Sequence, residues 1–396
     1  MISSFADLLH PISTEQFFAE YFGKQPLHIP GGADKVADLM SWKQLNGLLE
    51  ITNIWTSDSL ELVLDQKAVA PAAYCIDGRT RDMRRAMKPD RRKVLSFLQR
   101  GATMALDFCE RLTPELIAAT EAIEDATGGA ITGSIFCSWE GHQGFASHHD
   151  TLDVFAVQTE GEKLWKLWEG RYDSPVDIDG YNSGSFGVEH HMKHRGALKA
   201  EITMRPGDVL YVPIGMYHDA LALPGGSVHV SFGVNRMFGK QYFDMLAEEC
   251  VQDPVFRRPM PDFRDRAAVA AHLTELAERF KQAALAPHTI DFFIERMRHH
   301  TYGTRAGYNL PNRDTDETYI VRSDGLKLVR RGSDFQLKLG ETAIVVTATQ
   351  KPAVDWVLSQ ERFTTADFNN ALSDVPHDDR RHVVRVLAEH TVLIPL

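Results

Sequence analysis

The chain has 396 residues, 43% of them hydrophobic and 24% charged, with a formal net charge of -11 at pH 7. At about 150 residues per domain that length allows two or three domains, and the composition is ordinary for a globular chain. The acidic balance argues against wholesale binding to a nucleic-acid backbone. No run of about 18 apolar residues is present to make a membrane span. The opening MISSFADLLHPIS lacks the basic flank and long apolar stretch of a secretory signal. The four cysteines, at 75, 109, 137 and 250, have no CxxC spacing. A zinc ribbon or disulfide framework is therefore not expected, and a cytoplasmic location is.

In chain order, Ser13 and Gln16 make a capping-box pattern ahead of Phe17, Phe18 and Tyr21, which predicts a helix over 13–22. KQPLHIP then reads as an extended strand stopped by Gly31 and Gly32, and SWKQLNGLLE (41–50) as a second short helix. Residues 79–100 carry nine Lys/Arg against two Asp. They read as a solvated basic loop and helix face, with contact to an acidic partner as the alternative. GATMALDF (101–108) is strand-like, and TPELIAATEAIEDATG (113–128) has helical spacing with Gly128 near its end. Over 131–138 the residues alternate: Ser134, Phe136 and Ser138 share one face, Ile135 and Cys137 the other.

The densest chemistry lies in 144–168, GFASHHDTLDVFAVQTEGEKLWKLW. His148 and Asp150 stand two apart ahead of the apolar VFAV; on a strand they share a face while His149 points away. TEGE (159–162) reads as a hairpin turn, after which Lys163 opens a second strand. Downstream, in PGDVLYVPIGMYHDA (206–220), Pro206-Gly207 makes a turn, DVLYV a strand, and Pro213 and Gly215 a bend that delivers His218. Two imidazoles and one carboxylate form a facial triad, which leaves three positions open on a six-coordinate iron(II); zinc is more often held by a closed set of four ligands. His149, His190, His191, His299 and His300 read as surface or satisfied core histidines. In VHVSFGV (228–234), Val228, Val230, Phe232 and Val234 face apolar packing, while His229, Ser231 and Gly233 face something polar.

This stretch resembles the JmjC-type cupins, and most of all the ribosomal oxygenases: the nucleolar histidine hydroxylases and their bacterial arginine-hydroxylating relatives. Their pattern QGFxPHxDxxxxFxxQxEGxKxW is matched by Gln143, Gly144, Phe145, His148, Asp150, Phe155, Gln158, Glu160, Gly161, Lys163 and Trp165. The helix followed by KQPLHI, and VFRRPMP (255–261), carry the same resemblance. It implies a double-stranded β-helix (jelly-roll or cupin) and an oxygenase that uses Fe(II), 2-oxoglutarate and O2. His148, Asp150 and His218 would ligate the iron, and Lys163 would pair with the distal carboxylate of 2-oxoglutarate. Ser134 and Ser231, on the polar faces of their strands, are expected to line the co-substrate pocket. The chain also departs from the family: Ser134 and Phe136 stand where the nucleolar enzymes have Asn and Tyr.

Beyond the cupin, KQYFDMLAEECV and RAAVAAHLTELAERFKQAAL are helical, the second with a stripe of Val269, Leu273, Leu276 and Phe280. The resemblance implies that these helices form a homodimer. The C-terminal region reads as a hairpin (LKLVRR-GSD-FQLKLG), the strand ETAIVVTA, three helices and a last strand TVLIP, which is winged-helix-like. Residues 353–396 hold seven Asp/Glu and four Arg; direct DNA binding is not expected, and a protein-contact role is. The expected organisation is α+β: a catalytic cupin over 1–238 with an N-terminal helical extension, a helical dimerisation region over 239–312, and a winged-helix-like domain over 313–396. The expected activity is hydroxylation of a side chain on a protein or peptide, such as a ribosomal protein, with release of succinate and CO2. The alternatives are the same chemistry on a biosynthetic peptide or small molecule, and a non-catalytic cupin that binds or senses.

Overall fold

The computed structural model describes residues 2–139, 144–298, 300–302, 317–322, 326–339 and 342–396. Gln143, His299, Gly340, Glu341 and the expected boundary at 312/313 lie outside the described residues. The chain divides into two units, Met1–Thr304 and Arg305–Leu396. The helices expected as a separate region after residue 238 thus belong to the same unit as the cupin.

In the first unit α1 (Phe5–Leu9) and α2 (Thr14–Glu20) lead into β1 (Leu27–Ile29) and α3 (Trp42–Leu49). Ser13 caps α2 by accepting from the Gln16 amide at 3.1 Å, but the Gln16 side chain turns to Glu20 and leaves the box half made. The complete box is one helix later, where the Gln44 side chain accepts from the Ser41 amide at 2.8 Å. β2 (Leu60–Leu64), β3 (Lys67–Ala68) and the short α4 (Pro71–Tyr74) follow. The basic segment then folds as a small sheet of β4 (Cys75–Arg79) and β5 (Arg85–Pro89) and as α5 (Arg91–Gln99). Next come β6 (Thr103–Leu106), α6 (Pro114–Thr127) and β7 (Ala130–Ser138).

The cupin is built on two long strands, β8 (Asp153–Arg171) and β11 (Met216–Asn235), with α7 (Val188–His194), β9 (Leu198–Met204) and β10 (Val209–Val212) between them. They run antiparallel along nearly their whole length. The far edge of β8 pairs with β10 in its first half and with β9 in its second; β11 pairs with β7. The sheet order is β1-β10-β8-β11-β7-β6-β2-β3, with β9 also on β8. Four strands from before the expected start of the barrel, β1, β2, β3 and β6, therefore belong to this sheet.

The expected hairpin at 159–162 is not there, because β8 continues through it. The strand bends instead: Gly161 has φ +62°, and register shifts face it across β11, where Leu223–Gly226 bulge out. A Cβ on Gly161 would lie 1.9 Å from the Gly226 carbonyl oxygen, so backbone packs on backbone at the bend.

Alternation sorts the two faces. Ile135, Phe155, Val230 and Phe232 pack outward in one core with Phe5, Phe17, Leu45 and Ile123 of the helices. Val154, Trp165, Leu167 and Met204 form a second core on the inner side. α8 (Gly239–Cys250), α9 (Arg266–Ala284) and α10 (Pro287–Arg298) close the unit; α9 and α10 contain no buried residue. Among the described residues no helix is long and apolar enough to cross a membrane.

The second unit has one sheet of β12 (Thr318–Val321), β16 (Arg362–Thr364) and β17 (Leu393–Pro395) and another of β13 (Lys327–Arg331), β14 (Asp334–Leu339) and β15 (Thr342–Val346). α11 (Lys351–Leu358), α12 (Thr365–Ala371) and α13 (His377–Glu389) complete it around a core that includes Leu337, Val357, Phe368 and Leu387. β12 and β16 have no counterpart in the sequence reading; each has at most four residues, too few to show a period.

Candidate active site

A cavity of about 420 Å³ opens inside the cupin. His148 and Asp150 reach it from the approach to β8 rather than from the strand itself, which starts at Asp153. His148 makes a single antiparallel bridge to His218: each backbone amide donates to the other's carbonyl, at 3.1 and 2.9 Å. That bridge sets the two imidazoles side by side, with ring centroids 4.5 Å apart. Gly215 fastens the bend before His218 by donating its amide to the Asp150 carbonyl at 3.0 Å. Its φ is +79°, and a Cβ there would meet the Tyr172 carbonyl at 2.1 Å, so the bend requires glycine.

The Nδ1 atoms of His148 and His218 lie 2.8 and 3.0 Å from the carbonyl oxygens of Ala146 and Met216, two residues back in each case. Each can donate there, which leaves both Nε2 atoms as acceptors aimed at Asp150, 3.6 and 3.4 Å from its carboxylate oxygens. One donor atom from each of the three residues lies within 4.8 Å of the others, the one such cluster among the described residues. A neutral imidazole pair and a carboxylate on one side of an open cavity fit a divalent iron with free positions.

Deeper in the same cavity lies Lys163, 5% exposed. Its Nζ donates to Ser138 Oγ at 3.2 Å and lies 3.3 Å from His229 Nδ1. Burial pushes the ammonium down to about 7, and the Cys137 thiol, the lesser influence, acts in the opposite sense. Trp165 lies over His218 (centroids 5.8 Å) with its edge to His229, and its buried indole N–H has no partner among the described residues. Phe136 stacks on His229 at 4.9 Å.

Ser134 and Ser231 both line the cavity and face each other across β7 and β11. The Ser134 hydroxyl is directed to Asp107 at 2.6 Å, so the residues that touch Lys163 are Ser138 and His229. Sequence reasoning placed those two on the polar faces of their strands without pairing them with Lys163. It missed Asp107 and Glu61 on the wall reached through β6 and β2; the alternation of Thr103, Ala105 and Asp107 was the available signal. Glu61 is pushed up by burial and then by the Asp107 charge.

His149 turns away from the cavity, as its position between the two ligand candidates requires. It is fully buried and stacks on Tyr172 at 4.7 Å, with neither ring nitrogen hydrogen-bonded among the described residues. Burial brings it down to about 4.

Residues 113–242 match the family model for the JmjC domain. Among curated relatives, the bifunctional lysine-specific demethylase and histidyl-hydroxylase NO66 of Aedes aegypti is 26% identical over 232 residues, 58% of this chain and 34% of that protein. Ribosomal oxygenase 2 of Bos taurus is 23% identical over 343 residues, 84% of this chain and 68% of that one. The chain thus spans about a third of the first of these relatives. In fold it is similar to the crystal structure of the Escherichia coli ribosomal oxygenase YcfD, with a TM-score of 0.52 and 16% identity over 97% of this chain and 98% of that one. YcfD has also been solved in complex with cobalt and 2-oxoglutarate. The chain carries a JmjC domain of the cupin fold and resembles the ribosomal oxygenases.

Proposed function

We propose that this protein is an Fe(II)- and 2-oxoglutarate-dependent oxygenase that hydroxylates a basic side chain of a protein substrate. The observation that carries this reading is one cavity holding both halves of the required chemistry. At its mouth His148, Asp150 and His218 point three donor atoms at a common centre; deeper in, Lys163 offers a buried cation for a carboxylate. Bound there, iron(II), 2-oxoglutarate and O2 supply an oxidative decarboxylation to succinate and CO2 coupled to C–H hydroxylation. The protein's own work is to hold the three ligands on one side of the metal, to fix the far carboxylate at Lys163, and to keep water out with Trp165, Phe136 and Val154.

Two acidic residues favour a cationic substrate. Asp107 and Glu61 line the same cavity, close enough for the Asp107 charge to act on Glu61. An arginine, lysine or protonated histidine side chain would meet complementary charge there, and the net charge of -11 suits a basic partner such as a ribosomal protein. The exposed apolar side chains Phe243, Leu273, Leu285 and Phe292 on or beside α8–α10 support a homodimer built on these helices. The second unit, with three helices and two small sheets, is read as a winged-helix-like module for protein contact.

Anaerobic titration of the iron(II)-loaded protein with 2-oxoglutarate tests the chemistry. A saturable metal-to-ligand absorption band, lost in Asp150→Ala, is expected; normal iron binding without the band overturns the reading in favour of a non-catalytic cupin. Comparing intact ribosomal-protein masses from deletion and wild-type cells tests the substrate: a gain of one oxygen atom on one protein in wild type is expected, and identical masses would move the assignment to a biosynthetic peptide or small molecule.

A further inference from the structure

The surroundings of Lys163 differ from those of a lysine held in a standing ion pair. An ammonium has three donors. Two partners within reach of Nζ are Ser138 Oγ, which also accepts from Thr103 Oγ1 at 3.1 Å, and His229 Nδ1. His229 is itself 3% exposed and held flat by Phe136, with ring planes 9° apart. Among the described residues the third donor has no hydrogen-bond partner and no carboxylate pairs with Lys163. The titratable groups facing it are His229 from β11 and the Cys137 thiol from β7, which burial pushes up to about 12 and so keeps neutral. The Phe136 ring, its centroid 6.0 Å from Nζ, and Ala222, the cross-strand neighbour on β11, bring no charge.

The geometry points to a proton-coupled anion seat: His229 is the positioning residue that aims Lys163, and the pair takes up a proton together with the carboxylate it binds. A buried cation is strongly disfavoured without a counter-charge, and a buried anion without a cation is no better. Each charge therefore stabilises the other. The step balances simply. The Lys163 amine gains one proton from solvent to become an ammonium, which donates to the incoming carboxylate while Ser138 and the unprotonated Nδ1 of His229 accept its other two hydrogens. The neutral state of His229 is what allows it to accept; burial, and secondarily the Lys163 charge, hold its imidazole well below the ordinary range. With the Lys163 ammonium pushed down to about 7, the uptake belongs to the range above neutrality.

This inference rests on the 2-oxoglutarate reading above. The test is calorimetric titration of 2-oxoglutarate into the metal-loaded, oxygen-free protein, in phosphate and in Tris, whose ionisation enthalpies differ. Near pH 8 the observed heat should depend on the buffer in the sense of proton uptake, approaching roughly one proton per ligand, and the dependence should fade by about pH 6. Above neutrality the affinity should fall up to about tenfold per pH unit. His229→Leu should weaken 2-oxoglutarate by about tenfold or more with iron affinity unchanged, and His229→Asn, which restores an acceptor, should recover most of it. Binding with no buffer dependence at pH 8, or His229→Leu that binds like wild type, overturns the proton-coupled seat and leaves the oxygenase reading intact. Failure of 2-oxoglutarate to bind at any pH overturns both. Should His229→Leu not fold, the buffer dependence of the wild-type protein decides alone.

Discussion

His148, Asp150 and His218, the proposed iron ligands, are only partly local in the sequence. His148 and Asp150 come from one approach loop, His218 from a strand 68 positions beyond Asp150, and a two-residue backbone bridge aligns them. His148→Ala or His218→Ala should abolish stoichiometric iron(II) binding, read by metal analysis after desalting; retention of one iron per chain in either variant would remove that residue from the ligand set. Lys163→Ala should leave iron bound and weaken 2-oxoglutarate by roughly ten- to a hundredfold, the range for a lost hydrogen bond to a charged group. The sign of the acid response follows from His229. Its native imidazole is held below the ordinary value, so as pH falls through about 6.5 the unfolded chain takes a proton that the native one refuses. Stability contributed at neutral pH is then lost at up to about 1.4 kcal/mol per pH unit. His229→Asn should flatten the pH dependence of the denaturant midpoint between neutrality and pH 5; an unchanged slope would mean that His229 is protonated in the native protein.

At the scale of elements, the bend shared by β8 and β11 does the positioning. At Gly161 and the Leu223–Gly226 bulge two strands of about twenty residues bend together, so that β8 pairs with β10 before the bend and with β9 after it, and Lys163 follows the bend by two residues. A side chain at position 161 meets both a left-handed φ and a backbone oxygen at 1.9 Å. Gly161→Ala should therefore destabilise by more than about 1 kcal/mol, read from urea unfolding, and should weaken 2-oxoglutarate more than iron, because the displaced segment carries Lys163 and not the metal ligands. Equal loss of both ligands would mean general unfolding instead. TEGE reads as a hairpin because Gly and polar residues between two apolar runs are the usual sign of a turn. Nothing local distinguishes a strand that reverses from one that bends; the pairing of β11 along both halves of β8 does.

For the whole molecule, the acidic chain and its apolar helical region are the features that bear on partners. α9 has the predicted stripe, but Leu273 is 51% exposed and no residue of α9 or α10 is buried within the chain. If this face closes a homodimer, the wild-type protein should sediment as a dimer and Leu273→Glu should shift it to monomer, since a charge in a buried interface lacks a partner. A wild-type protein that sediments as monomer at all concentrations overturns the dimer.

Much of this protein follows from sequence alone. Alternation over 131–138 and 228–234 is enough to assign the packed and cavity-facing sides of β7 and β11, because the side-chain period of a strand is fixed by its backbone. Residue chemistry and spacing likewise point to His148, Asp150 and His218 as candidate metal ligands, and the resemblance to the ribosomal oxygenases adds Lys163 as the expected carboxylate partner. Tertiary structure decides what depends on distance through space. It brings Asp150 and His218 together, carries β8 through its bend, turns Ser134 to Asp107, and sets Ser138 and His229 rather than Ser134 and Ser231 beside Lys163. Each of these is a choice among partners equally available to a strand read by itself. Cross-strand register makes the choice, and register belongs to the sheet as a whole.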